Sequence, residues 1–141
     1  MTKLFRISLL ALCSLLLAGG LAAAETIKIG LLCPLTGDFA NEGQDMQRIV
    51  ELLADGLNQA GGINGNQVEI VVEDDGSDPR ISALAAQRLA TSDVVAVVGT
   101  YGSAVTEASQ NILAEAGIVQ IATGSTSIRL TEKGLPTFFR T

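Results

Sequence analysis

Short apolar, β-branched runs alternate along this chain with segments whose apolar residues recur at helical spacing. The apolar runs predict four strands, at 26–32, 68–72, 94–98 and 118–122. The helical segments predict one helix that starts at Gln44, a second that starts at Pro79 and a third over 103–116. The order βαβαβαβ, with short Gly-rich links, predicts an α/β fold. We expect a parallel sheet with right-handed crossovers and helices on both faces.

Residues 1–24 have the pattern of an export signal. Two basic residues precede an apolar core at 7–18, and three alanines at 22–24 offer a small-residue cleavage site. We therefore predict a cleavable signal peptide over 1–24, a mature protein that begins at Glu25 and a periplasmic location. An uncleaved membrane anchor is the alternative, because the apolar run approaches the length of a membrane span.

The residue types exclude several classes of function. The chain contains no His, which excludes Ser-His-Asp and Cys-His catalysis and His-ligated zinc. The nucleophile elbow, the dinucleotide fingerprint and the P-loop are absent from the sequence. The net charge of −6 argues against a nucleic-acid partner. We predict a protein that is not an enzyme and that needs neither a metal nor a cofactor.

Ligands of parallel sheets bind beyond the carboxyl ends of the strands, so function is expected in the loops that follow them. These loops are 33–43, 74–78, 99–103 and 123–127. The last two are rich in Gly, Ser and Thr. Ser103 is predicted to be the N-cap of the third helix, where free amides and the helix dipole favour an anion. Residues 125–127 add further donors. A small carboxylate fits better than a phosphate, since neither loop contains Lys or Arg; an ordinary cap without a ligand is the alternative.

Two other features have structural explanations that we favour. Cys33 is the only Cys after residue 24, and we predict a small buried hydrophobic residue rather than a reactive thiol. Asp74, Asp75 and Asp78 are predicted to form a solvated turn in which Asp78 caps the second helix and Pro79 occupies its first turn. A loop that binds a hard cation is the alternative for these carboxylates.

Several segments resemble the periplasmic branched-chain amino-acid (Leu/Ile/Val) binding proteins. They are Ile27-Lys28-Ile29-Gly30, Pro34-Leu35-Thr36-Gly37, Leu57-Asn58-Gln59-Ala60-Gly61-Gly62-Ile63-Asn64-Gly65, Asp74-Asp75-Gly76-Ser77-Asp78-Pro79, the run from Val97 to Thr126, and Phe139-Arg140-Thr141. The resemblance covers all of residues 25–141. It implies the type I periplasmic binding fold, in which two lobes close on a ligand. Residues 25–141 would form the amino-terminal ligand-binding lobe, truncated.

The resemblance also implies roles for single residues. Ser103 matches the serine whose hydroxyl and amide hold the ligand α-carboxylate, and Thr126 matches the threonine that contacts carboxylate and amine. Gly124 matches the position whose carbonyl accepts from the amine, and Tyr101 matches a side chain of the apolar pocket. With two neighbours added, the predicted ligand-binding residues are Ser103, Thr126, Gly124, Ser125, Tyr101 and Gly102.

The sequence departs from the family at two places. Glu42 stands where an aromatic residue is common, and Ser77 and Gly102 stand where many members have a disulfide. The function that the resemblance implies is the receptor of an ABC importer for branched-chain or related amino acids. Such a receptor docks on a membrane permease and is expected to be a monomer when full length. The alternatives are a ligand-sensing ectodomain of the same fold, or a receptor for another small carboxylate or amide, such as an aromatic acid or urea.

Overall fold

The computed structural model describes residues 25–141, so the predicted signal peptide at 1–24 lies outside the described residues. The strands are β1 (Thr26–Cys33), β2 (Gln67–Asp74), β3 (Ala96–Val98), β4 (Val119–Ala122) and β5 (Phe138–Arg140). The helices are α1 (Ala40–Gln59), α2 (Pro79–Ala90), α3 (Ser103–Glu115) and α4 (Arg129–Glu132). Strands and helices alternate strictly, as the sequence predicts.

The strands form one parallel sheet in the order β2-β1-β3-β4-β5. The predicted α/β fold with a parallel sheet is therefore confirmed. The sheet has one strand more than predicted, because the three residues of β5 pair with β4. A strand of three residues is too short to show an apolar periodicity in the sequence. The strand order reverses between β1 and β3, and ligands of such sheets bind in the crevice at this reversal.

The sheet carries helices on both faces, because successive strand residues point to opposite sides. On one face Leu32 and Val97 belong to a fully buried core with Leu89 of α2 and Leu113 of α3. On the other face α1 lies along β1 and β2. This arrangement agrees with the prediction of helices on both faces.

The apolar stripe of α1 is only partly covered. Leu53 and Leu57 line a groove against Ile29 and Ile70 of the sheet. Nevertheless Leu53 is 62% exposed, and Ile49 on the same helix is 57% exposed. The helix that the periodicity predicts is present, but its apolar stripe extends beyond the sheet surface that it contacts.

The first helix begins earlier than predicted, at Ala40 instead of Gln44. Gly43 makes this possible, since a Cβ there would lie 1.9 Å from the carbonyl oxygen of Pro34. The first loop is shorter as a result, and Glu42 lies in the first helical turn. One turn later, Met46 Sδ is 3.9 Å from Thr123 Oγ1, so the start of α1 reaches the loop after β4.

Three local predictions have clear outcomes. Asp78 caps α2, accepting from the backbone amides of Arg80 at 2.8 Å and Ile81 at 3.3 Å, and Pro79 is the first helical residue. Cys33 is fully buried, and this burial, with nearby carboxylates, raises the pKa of its thiol to about 12. Both predictions are confirmed. The turn that contains Asp74, Asp75 and Asp78 is not solvated throughout as predicted, because Asp75 is fully buried. The third strand is shorter than the apolar run at 94–98, since only its last three residues pair as β3.

Candidate functional site

The N-terminus of α3 lies at the carboxyl edge of the sheet, next to the strand reversal. Gly102 is its N-cap, and no side chain of the described residues caps the helix. The prediction that Ser103 is the N-cap is therefore wrong. Ser103 is instead the first helical residue, and its Oγ accepts hydrogen bonds from the backbone amides of Thr126 and Ser127, each at 3.1 Å. The side chain is used to join two loops that the sequence predicted to meet at one edge.

This arrangement leaves hydrogen-bond donors at the edge. The Ser103 hydroxyl accepts two bonds, so its proton remains available for an outside acceptor. The first amides of α3 have no intrahelical partner, and the helix dipole adds positive potential there. The side chain of Thr126 is exposed beside them. The chemistry of the edge suits a carboxylate, and binding of a carboxylate there stays a prediction.

Three buried hydroxyl side chains lie beneath this edge, and we call them the hydroxyl cluster: Thr100, Thr106 and Ser125. Thr106 Oγ1 donates to the carbonyl oxygen of Gly102 at 2.8 Å and is hydrogen-bonded to the hydroxyls of Thr100 and Ser125. Thr100 and Thr106 are fully buried, and Ser125 is 2% exposed. The hydroxyl of Ser125, a predicted ligand-binding residue, is thus used inside the protein, where it connects the loop after β4 to α3.

Arg140 lies at the candidate site, although the sequence did not predict it there. Its Nη1 donates to the carbonyl oxygens of Ser125 at 3.0 Å and Ser127 at 3.1 Å. These bonds hold two carbonyls of the loop and place a guanidinium charge close to the edge, although neither loop contains Lys or Arg. In the sequence, only the similarity of residues 139–141 to the Leu/Ile/Val-binding proteins pointed to this segment. Arg140 reaches the loop only because β5 pairs with β4.

Tyr101 and Gly124 form the apolar part of the edge. The Tyr101 ring packs against Phe39 with centroids 5.4 Å apart and planes tilted by 59°. A Cβ on Gly124 would lie 2.5 Å from Cδ2 of Tyr101, so only Gly permits this close approach. Both residues therefore lie at the edge where the resemblance places them. What they contact in a ligand stays a prediction.

Asp74 fastens the loop after β1 to the end of β2. Its carboxylate accepts from the amides of Leu35, Thr36 and Gly76 and from the Thr36 hydroxyl, at 2.6 to 3.2 Å. Burial opposes ionisation, but these hydrogen bonds outweigh it and hold the pKa of Asp74 below its usual value. The role of this carboxylate is structural. Among the described residues there is no group of three or more side chains suited to a metal ion.

Comparison with known proteins gives the family. Residues 26–141 match a family model described as periplasmic binding protein. The chain belongs to the periplasmic binding protein family. Leu/Ile/Val-binding protein homolog 1 of Brucella abortus (strain 2308) is 37% identical over 131 residues, which are 93% of this chain and 35% of that protein. The predicted family is confirmed, and such relatives are solute-binding proteins rather than enzymes.

Solved structures agree with the fold. The branched-chain amino acid transporter substrate binding protein LivJ of Streptococcus pneumoniae, in complex with isoleucine, gives a TM-score of 0.79 at 37% identity, over 82% of this chain and 33% of that one. A solute binding protein of Rhodopseudomonas palustris BisB5, in complex with 3,4-dihydroxy benzoic acid, gives 0.72 at 25% identity, over 82% and 31%. The chain spans about a third of the length of these periplasmic binding proteins. Within residues 25–141 no helix is long and apolar enough to cross a membrane.

Proposed function

We propose that residues 25–141 form the amino-terminal lobe of a receptor that captures branched-chain or related amino acids for an ABC importer. The observation that carries this proposal is the Ser103 hydroxyl, which joins the N-terminus of α3 to the amides of Thr126 and Ser127 at 3.1 Å. It holds the loop after β4 beside the first turn of α3, where amides without an intrahelical partner and the Ser103 proton remain as donors. The names of the relatives, a Leu/Ile/Val-binding protein homolog and an isoleucine-bound transporter protein, support the ligand class.

The mechanism is capture without chemistry. The ligand α-carboxylate accepts from the Ser103 hydroxyl and from the first amides of α3, and the helix dipole stabilises its charge. As the resemblance implies, the Thr126 hydroxyl would contact both the carboxylate and the amine, and the Gly124 carbonyl would accept from the amine. The Arg140 guanidinium lies behind the loop, bonded to its carbonyls, and adds a positive potential at the same edge. No bond of the ligand is made or broken.

Transport would require parts outside this chain. A second lobe would close over the ligand by a hinge motion, and the closed monomeric receptor would dock on a membrane permease. The periplasmic location of the family supports export of this protein. We propose that the signal peptide predicted at 1–24 directs export and that its cleavage leaves Glu25 as the first mature residue. A second candidate is a receptor for aromatic acids, favoured by the relative that binds 3,4-dihydroxy benzoic acid.

Ser103→Ala in the full-length protein tests the proposal. Loss of a hydrogen bond to a charged carboxylate costs about 1.5–3 kcal/mol, so affinity should fall by roughly 10- to 150-fold. Calorimetry with leucine, isoleucine, valine and 3,4-dihydroxybenzoate would measure it and would separate the two ligand classes. Ser92→Ala is the control, because the Ser92 hydroxyl bonds to the Leu89 carbonyl at 2.9 Å, just after α2 and away from the site. If Ser103→Ala left the affinity for every carboxylate unchanged, Ser103 would not belong to the site.

A further inference from the structure

A cavity of about 190 Å³ lies between the first turn of α3 and the loops that follow β1 and β2. Phe39 and Val105 line it with apolar side chains, and Gly102 and Ser103 line it from the start of α3. The cavity therefore lies beside the amides and the hydroxyl that we propose hold the ligand carboxylate. We call it the Gly102 cavity.

Apart from Ser103, the polar side chains that line the Gly102 cavity are engaged within the protein. The Ser77 hydroxyl donates to the Thr36 carbonyl at 3.2 Å and accepts from the Phe39 amide at 3.1 Å. Asp75 Oδ1 accepts from the Ser77 amide at 2.9 Å, and Asp75 Oδ2 is buried with almost no accessible surface. The surface that the cavity presents is therefore mainly carbon. Its chemistry favours an uncharged, apolar group.

Gly102 leaves this space open although its backbone does not require glycine. Its φ of −96° and ψ of 145° are extended values that any residue adopts. A Cβ at this position would lie 3.4 Å from Cγ2 of Val105 and 3.9 Å from Cε2 of Phe39, which are ordinary contact distances. A side chain on residue 102 would therefore fit between two residues that line the cavity, and it would fill part of the cavity.

Phe39 gives the cavity an aromatic wall with surface left to cover. Its ring packs against Tyr101 with centroids 5.4 Å apart, yet Phe39 is 42% exposed. An apolar group that covers the ring removes this surface from water, which stabilises the contact. An engineered apolar cavity of about 150 Å³ binds benzene. The Gly102 cavity, at about 190 Å³, has room for a group of that size.

We propose that Gly102 is a specificity-determining residue, and that the Gly102 cavity binds an apolar side chain of the ligand, from the size of leucine up to a phenyl ring. This inference rests on the proposed function and narrows its ligand class to amino acids with large apolar side chains. With the carboxylate at the start of α3, the side chain extends past Gly102 and packs against Phe39 and Val105. Each methylene group that is buried there strengthens binding about fourfold.

Calorimetry with alanine, leucine and phenylalanine tests the proposal in the full-length protein. We expect the wild type to bind leucine and phenylalanine about tenfold or more tightly than alanine. Gly102→Ala and Gly102→Val fill the cavity in two steps, and they should lower the ratio of leucine affinity to alanine affinity about threefold and about tenfold, respectively. This ratio is the readout, because a general loss of carboxylate binding weakens both ligands alike.

Gly56→Ala is the matched control, because a Cβ there meets no atom of another described segment within 4 Å, and it should leave the ratio unchanged. A ratio that stays the same in Gly102→Val would overturn the proposal. Wild-type affinities that do not rise with the size of the apolar side chain would also overturn it.

Benzene tests the cavity without any amino acid. Wild-type protein labelled with ¹³C at Val methyl groups is titrated with benzene and observed by NMR. We expect a saturable shift of the Val105 methyl signals, and no such shift with acetamide, a polar probe. A benzene response in a protein that binds no amino acid would refute the carboxylate site and support the apolar cavity. Val105 signals that do not respond to benzene would show that the cavity does not take an apolar group, and the proposal would be wrong.

Discussion

Replacement of Thr106 by Val tests how the two loops of the site are held together. Thr106 is fully buried, donates to the Gly102 carbonyl at 2.8 Å and is hydrogen-bonded to the hydroxyls of Thr100 and Ser125. Val has nearly the same shape but lacks the hydroxyl. Three hydrogen bonds are lost at roughly 1 kcal/mol each, and the Ser125 hydroxyl keeps only a 3.4 Å contact to the Tyr101 carbonyl. We expect the free energy of unfolding to fall by about 2–4 kcal/mol.

Thr106→Ser is the matched variant, because it keeps the hydroxyl and removes one buried methyl group, at a cost of roughly 1 kcal/mol. Urea denaturation followed by circular dichroism measures stability, and calorimetry measures leucine affinity in the full-length protein. If the hydroxyl cluster positions the loop after β4, the Val variant should bind leucine about tenfold more weakly, equivalent to roughly 1.4 kcal/mol, and the Ser variant should bind normally. A Val variant as stable as the Ser variant would refute the role given to the cluster.

In each of two pairs of substitutions, the two members are expected to change protein stability in opposite directions. Asp74 has a lowered pKa, so its stabilising contribution is present above its unfolded-state pKa of about 3.8 and is lost as pH falls through the folded value. Burial raises the pKa of Asp75, so its contribution is largest in acid and is lost as pH rises through the folded value. Urea denaturation midpoints are measured at several pH values for the wild-type protein and both variants. At neutral pH we expect Asp74→Asn to be less stable than the wild type and Asp75→Asn to be relatively stabilised, and both differences should change across the acidic range. Differences that do not depend on pH would contradict this. Gly124→Ala places a Cβ 2.5 Å from the Tyr101 ring and should lower the free energy of unfolding by about 1–3 kcal/mol. Gly56→Ala on α1 meets no atom of another described segment within 4 Å and should raise it by about 0.5–1 kcal/mol. Thermal unfolding measures the stability of both variants. Equal effects on stability would show that the Tyr101 ring moves aside without cost.

The parts of the fold that were predicted correctly depend on local sequence. The βαβαβαβ order follows from apolar spacing, which reports the period of each element. The cap of α2 follows from Asp78 and Pro79, two neighbours whose chemistry acts within one turn. The start of α1 was not predictable in this way. It depends on the fit of Gly43 against the Pro34 carbonyl, nine residues earlier in the chain.

The candidate site was predicted in outline but not in its contacts. The sequence placed two donor-rich loops at one sheet edge, because the carboxyl ends of parallel strands meet there. It could not show that Ser103 accepts from amides 23 and 24 residues away, nor that Arg140 holds the carbonyl oxygens of Ser125 and Ser127. Those contacts form only after the strands have paired in register.

The sequence by itself determined the alternation of strands and helices, the parallel sheet and the edge at which we propose that a ligand binds, since all three follow from periodicity and short-range chemistry. Only the tertiary structure decided the direction of each polar group at that edge. It buried the Ser125 hydroxyl under the loop, and among residues 25–141 it gave the buried Asp75 Oδ2 no hydrogen-bond partner. The physical reason is that a hydrogen bond depends on tenths of an ångström and on angle, and these are set by packing between segments far apart in the chain.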